Sequence, residues 1–162
     1  MITIEEQEEL MHMIHDVLRI GVSVSSLEFR IEWLCDKYSH KNIKQILNTP
    51  MKDEKYSNEM VLPLTKVLYI DTNDEIKEYY AKKLHVLKIL ENYGVDFSII
   101  NEKLPNTLPS ITQYSMFFLY AKSDCRDENP TLVDLLLSNK LIDNKIKDFL
   151  IRYIKPTINI VI

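Results

Sequence analysis

VLKILENYGVDF, residues 86–97, joins an apolar helical run to a glycine stop. Val86, Leu87, Ile89, Leu90 and Tyr93 recur at spacings of three and four, so they share one helical face. Gly94 stands where a helix C-terminus needs a left-handed residue. The chain holds only two glycines. The other, Gly21, closes the similar stretch MHMIHDVLRIGVSVSS, and Gly21, Val22 and Ser25 align with Gly94, Val95 and Ser98.

The same periodicity extends outward in both directions. Thr3–Ile20 predicts a helix with Thr3 as its cap, acidic residues in its first turns and a stripe of Leu10, Met13, Ile14, Val17 and Leu18. Ser25 or Ser26 caps a second helix to Tyr38, with Leu27, Ile31, Leu34 and Tyr38 on its apolar side. Phe29 and Trp33 lie off that stripe, which predicts burial on more than one side. A short helix Lys41–Leu47 ends before Pro50, and Met51–Met60 reads as a polar loop. Leu62-Pro63-Leu64 opens a fourth helix that fades near Asp71. A long helix over Ile76–Tyr93 precedes an extended segment, Gly94–Ile100. Leu108-Pro109 opens another helix, Pro130–Asn139 forms the next, and Asp143 or Asn144 caps a last one through Tyr153.

The 162 residues suit one domain, 1–162. An apolar fraction of 46% with 27% charged residues is that of a globular chain. The formal net charge of -4 disfavours a broad nucleic-acid surface. No apolar run is long enough to span a bilayer, and MITIEEQEEL lacks the features of a signal peptide. Two cysteines, Cys35 and Cys125, make no disulfide framework. The expectation is a cytoplasmic protein without nucleic-acid or membrane partners.

Internal repetition is the strongest signal. Leu62-Pro63 returns as Leu108-Pro109, 46 residues later, and Val86, Leu87, Ile89 and Leu90 return at the same offset as Leu132, Val133, Leu135 and Leu136. A period of this size points to stacked helical units, each needing neighbours to bury its apolar face. The pattern resembles divergent ankyrin repeats. Pro63-Leu64 matches the opening Pro-Leu of the family's first helix, with Thr65 in place of its histidine. Leu84–Asp96 matches the second helix and its glycine, and Lys140 stands where the later unit should carry one. The resemblance implies an all-α, irregular solenoid of stacked helix pairs with terminal capping helices. The alternative is an irregular all-α bundle whose helices merely look alike.

No catalytic constellation stands out. His12 and His15 are three apart, on one predicted helical face, but no third ligand is spaced to complete a zinc site. Cys35 lies in an apolar helix, near His40 in sequence, where an inert thiol is expected. Cys125 sits beside Arg126, between Asp124 and Asp127, whose charges oppose thiolate formation. With two glycines there is no phosphate loop. A small α-helical enzyme or metal protein using His12, His15 or Cys125 is the alternative reading.

The favoured expectation is a module that binds another protein stoichiometrically, without cofactor or catalysis. The partner would be a basic toxin, making this an immunity protein, or a host factor bound by a microbial or viral effector. The resemblance implies binding through finger loops, here Lys52–Tyr56 and Phe97–Lys103, and through first-helix residues Lys66, Tyr69, Gln113 and Tyr114. The polar excursions Asp71–Tyr79 and Asp124–Glu128 add Asp74, Glu75, Asp127 and Glu128 as a joint acidic patch suited to a basic partner.

Overall fold

The computed structural model describes residues 1–52, 60–71, 78–101 and 131–154. Among these, seven α-helices and one two-stranded antiparallel ladder make a mostly helical fold. The helices are α1 (Ile4–Arg19), α2 (Val24–Lys37), α3 (His40–Leu47), α4 (Pro63–Tyr69), α5 (Tyr79–Asn92), α6 (Leu132–Ser138) and α7 (Asn144–Leu150). Two 3-10 turns, Ser98–Asn101 and Ile151–Tyr153, extend the ends of the last two regions.

Local chemistry sets most boundaries. Thr3 caps α1 in a reciprocal box: its hydroxyl accepts from the Glu6 amide, and the Glu6 carboxylate accepts from the Thr3 amide. Thr131 and Asp134 repeat that box on α6. Asp143 caps α7. α2 starts two residues earlier than expected, because Ser23 rather than Ser25 or Ser26 accepts the first free amide. Pro63 occupies the first turn of α4, where its missing N–H costs nothing. α5 begins at Tyr79, not Ile76, with Glu78 in the left-handed region at its start.

Two helix ends have the same construction. After α5, Gly94 has φ +86°, the Val95 amide donates to Leu90 O at 3.0 Å and the Gly94 amide to Glu91 O at 3.1 Å. After α6, Lys140 has φ +60°, Leu141 donates to Leu136 O at 2.9 Å and Lys140 to Leu137 O at 3.0 Å. Both are Schellman ends. Gly94–Ile100 was expected to be extended, yet Ser98–Asn101 turns, because Asp96 accepts the Ser98 amide and starts it. Met51–Lys52 and Met60–Val61 were expected as loop and instead pair, Met51 with Val61 and Lys52 with Met60.

α5 is the hub, packing against α1, α2, α4 and α7. α6 packs chiefly on α7 and the Ser98–Asn101 turn. The apolar stripes converge on one core: Leu10, Ile14 and Leu18 of α1, Leu27, Ile31 and Leu34 of α2, Val86, Leu87 and Leu90 of α5, and Leu132, Val133, Leu135 and Leu136 of α6 are all buried. The first turns of α5 hold down the ends of its neighbours. Lys82 Nζ donates to Gly21 O (3.0 Å) and Val22 O (3.2 Å) beyond α1. Lys83 Nζ, fully buried, donates to Leu68 O (3.2 Å), Ile70 O (3.1 Å) and Leu141 O (2.7 Å). Tyr79 and Tyr80 donate to Ile70 O and Lys140 O. Helix C-termini leave carbonyls without intrahelical partners, and cations are favoured there. Burial pushes the Lys83 ammonium well below its ordinary range, while Asp71 opposes that shift.

Candidate protein-binding face

The expected partner-binding residues fall in different places. Tyr56, Asp74, Glu75, Tyr114, Asp127 and Glu128, with Gln113 and Cys125, lie outside the described residues. Lys52 is half-buried in the ladder. Tyr69 and Lys66 are not exposed first-helix residues: every residue of α4 is buried, Tyr69 at 5% and Lys66 at 1% exposure. The helix is enclosed on all sides, which overrides the two-faced reading of its sequence. In the second expected finger, Phe97, Ile99 and Ile100 are buried. Phe97 stacks on Tyr153 at 4.7 Å and meets Phe149 edge-on at 5.8 Å, so this segment clamps α7 to the end of α5.

The metal alternative gains no geometry. His12 is exposed whereas His15 is buried, with Nδ1 3.2 Å from the adjacent Asp16 carboxylate. Among the described residues, no cluster of three His, Cys, Asp or Glu side chains could hold a metal. Cys35 is buried, and burial, with Glu32 and Asp36, pushes its thiol up, away from nucleophilic use. A cavity of about 170 Å³ lies between α3, α4 and the turn after α5, lined mainly by Leu47, Leu62, Leu64, Val95 and Ile99. It is below the usual size of a ligand pocket. An open cleft beside Tyr93 is rimmed by His40, Lys41 and Lys44.

The outward side of α2 is different. Leu27, Ile31 and Leu34 are buried, so the opposite side of the helix faces solvent. Two large aromatics stand there one turn apart: Phe29, 74% exposed, and Trp33, 40% exposed. Their position off the apolar stripe marks an exposed face rather than the second buried side expected of it. The indole is held in place. Arg30 lies over the Trp33 ring at 4.4 Å and Lys37 at 5.0 Å. Arg30 pairs with Glu9 at 2.5 Å and Lys37 with Glu6 at 3.2 Å, which ties both cations to α1. Glu6 also accepts from the Tyr38 hydroxyl. That bond, with those from Thr3 and Lys37, outweighs burial and holds the Glu6 pKa down at about 2.

Glu28, Glu32 and Asp36 follow one another at four-residue intervals along the exposed side of α2. Glu32 accepts from the Tyr93 hydroxyl of α5. Glu28 and Asp36 form no ion pair among the described residues. Sequence reading found Phe29 and Trp33 but assigned them inward; an aromatic pair beside a spaced acidic row was the available signal.

In comparison with known proteins, no family model, no curated protein and no solved structure matches the chain. Among the described residues, no helix is long and apolar enough to cross a membrane.

Proposed function

We propose that the chain is a protein-binding module that acts by stoichiometric association, without catalysis or cofactor, and that α2 presents its main contact. The observation that carries this reading is the exposed Phe29–Trp33 pair, with Trp33 braced by Arg30 and Lys37. Large aromatics and arginine dominate the energetics of protein interfaces. An aromatic side chain already fixed by its neighbours loses little freedom on binding. A toxin-neutralising immunity protein and an effector that binds a host factor both belong to this class, with cytoplasmic action as part of the same proposal.

The divergent ankyrin-like stack is kept as the proposed architecture. It is supported by two Schellman ends 46 residues apart, each followed by a turn or helix, and by a short hairpin ahead of α4. The stack would be irregular, since α7 rather than α6 is a principal neighbour of α5.

Affinity capture from the native source, with wild-type chain and a Phe29→Ser/Trp33→Ser variant as parallel baits, tests the binding proposal. A protein retained in equimolar amount by the wild type and depleted on the folded variant supports it. Identical capture by the two baits contradicts the assignment to α2.

A further inference from the structure

We infer that the outward face of α2 docks a basic amphipathic segment of a partner protein, one that alternates large apolar side chains with Lys or Arg. This deepens the protein-binding reading and rests on it. Three features of the face agree. Phe29 and Trp33 supply apolar area at a four-residue interval. Glu28, Glu32 and Asp36 run beside them at the same interval. α2 rises about 21 Å over its 14 residues, so each four-residue step is about 6 Å along the axis.

A partner helix with cations one turn apart matches the acidic row in step, while its apolar side chains cover the aromatics. The cations Arg30 and Lys37 do not cancel this field, because each already faces a carboxylate of α1. Glu28 and Asp36 carry negative charge that no described cation neutralises. An acidic or purely apolar segment would leave that row facing like charge or desolvate it without compensation. A basic segment gains on both counts, and the net charge of -4 favours its approach.

Trp33 is the only tryptophan in the chain, so its fluorescence reports on this face directly. The probe is a 14-residue peptide of leucine and lysine with an amphipathic helical pattern, titrated against the full chain. A second peptide replaces every lysine with glutamate, and a third replaces every leucine with serine. The expected result is a saturable blue shift with the leucine–lysine peptide, weakened at high salt, and none with the other two. A Glu28→Gln/Asp36→Asn variant should bind at least tenfold more weakly. Glu78→Gln/Asp148→Asn removes the same charge from other elements and should bind as wild type; circular dichroism checks that both fold. Phe29→Ser, which keeps Trp33, should also lose at least tenfold. Absence of a saturable shift, an equal shift with the glutamate peptide, or equal weakening by the two charge variants would each overturn the inference. If the aromatic variant still loses its captured partner while no basic peptide binds, the protein-binding reading stands and only the partner chemistry falls.

Discussion

Gly94 and Gly21 meet the same backbone demand. Both have φ near +87°, at +86° and +88°, where an L side chain is strained. A Cβ on Gly94 would stand 2.8 Å from Cδ of the exposed Lys44 side chain, which can swing aside at little cost, and a Cβ on Gly21 would have nothing within 4 Å. Gly94→Ala and Gly21→Ala should therefore each cost on the order of 1 kcal/mol, and Gly94→Val more. Denaturant unfolding of the three variants checks the order; a neutral Gly94→Val would remove this role. Lys140 holds the equivalent left-handed position after α6 with a side chain that does not favour it. Lys140→Gly should relieve that strain and stabilise the fold by on the order of 0.5 kcal/mol, part of the gain being offset by a freer unfolded chain.

At the level of elements, α1 and α2 are joined through Glu6, which closes the cap of α1 and accepts from Tyr38 and Lys37 at the end of α2. Its folded pKa, about 2, lies below the ordinary value of 4.5. The stabilisation is thus complete above pH 4.5 and is lost as the pH falls toward 2, because the unfolded carboxylate takes up its proton first. Glu6→Gln should lower stability at neutral pH and shrink the acid-dependent loss within that window. An unchanged acid profile would assign the loss to other groups. These caps were legible because they are local: Thr3, Pro63, Asp143 and Gly94 act on amides or carbonyls within a few residues. The Met51–Val61 ladder was not legible, since two residues on each side of a polar stretch leave no alternation to read. Nor was the outward set of Phe29 and Trp33. Periodicity locates an aromatic off the main stripe, but only packing decides whether another element covers it. The burial of α4 shows the converse, with Lys66 and Tyr69 enclosed by surroundings that their own seven-residue helix does not encode.

The whole molecule is drawn together at the start of α5. Lys83 ties the end of α4 to the turn after α6, two regions far apart in sequence. Its three acceptors match the three N–H donors of an ammonium. Lys83→Met would take the donor from the Leu68 and Leu141 carbonyls in a buried site, while Ile70 O keeps the Tyr79 hydroxyl, and should cost roughly 2 kcal/mol or more. Lys82→Met should cost about 1 kcal/mol or less, because water can reach the Gly21 and Val22 carbonyls. Comparable losses from the two would show that burial does not distinguish them. Beyond that core, α2 offers its aromatic and acidic side to solvent, and the proposed function depends on it. The decisive measurement is the equilibrium affinity of the purified captured partner for the wild-type chain and for the folded Phe29→Ser/Trp33→Ser variant. At least a tenfold loss, about 1.4 kcal/mol, is predicted; equal affinity for the two would contradict the assignment of binding to α2.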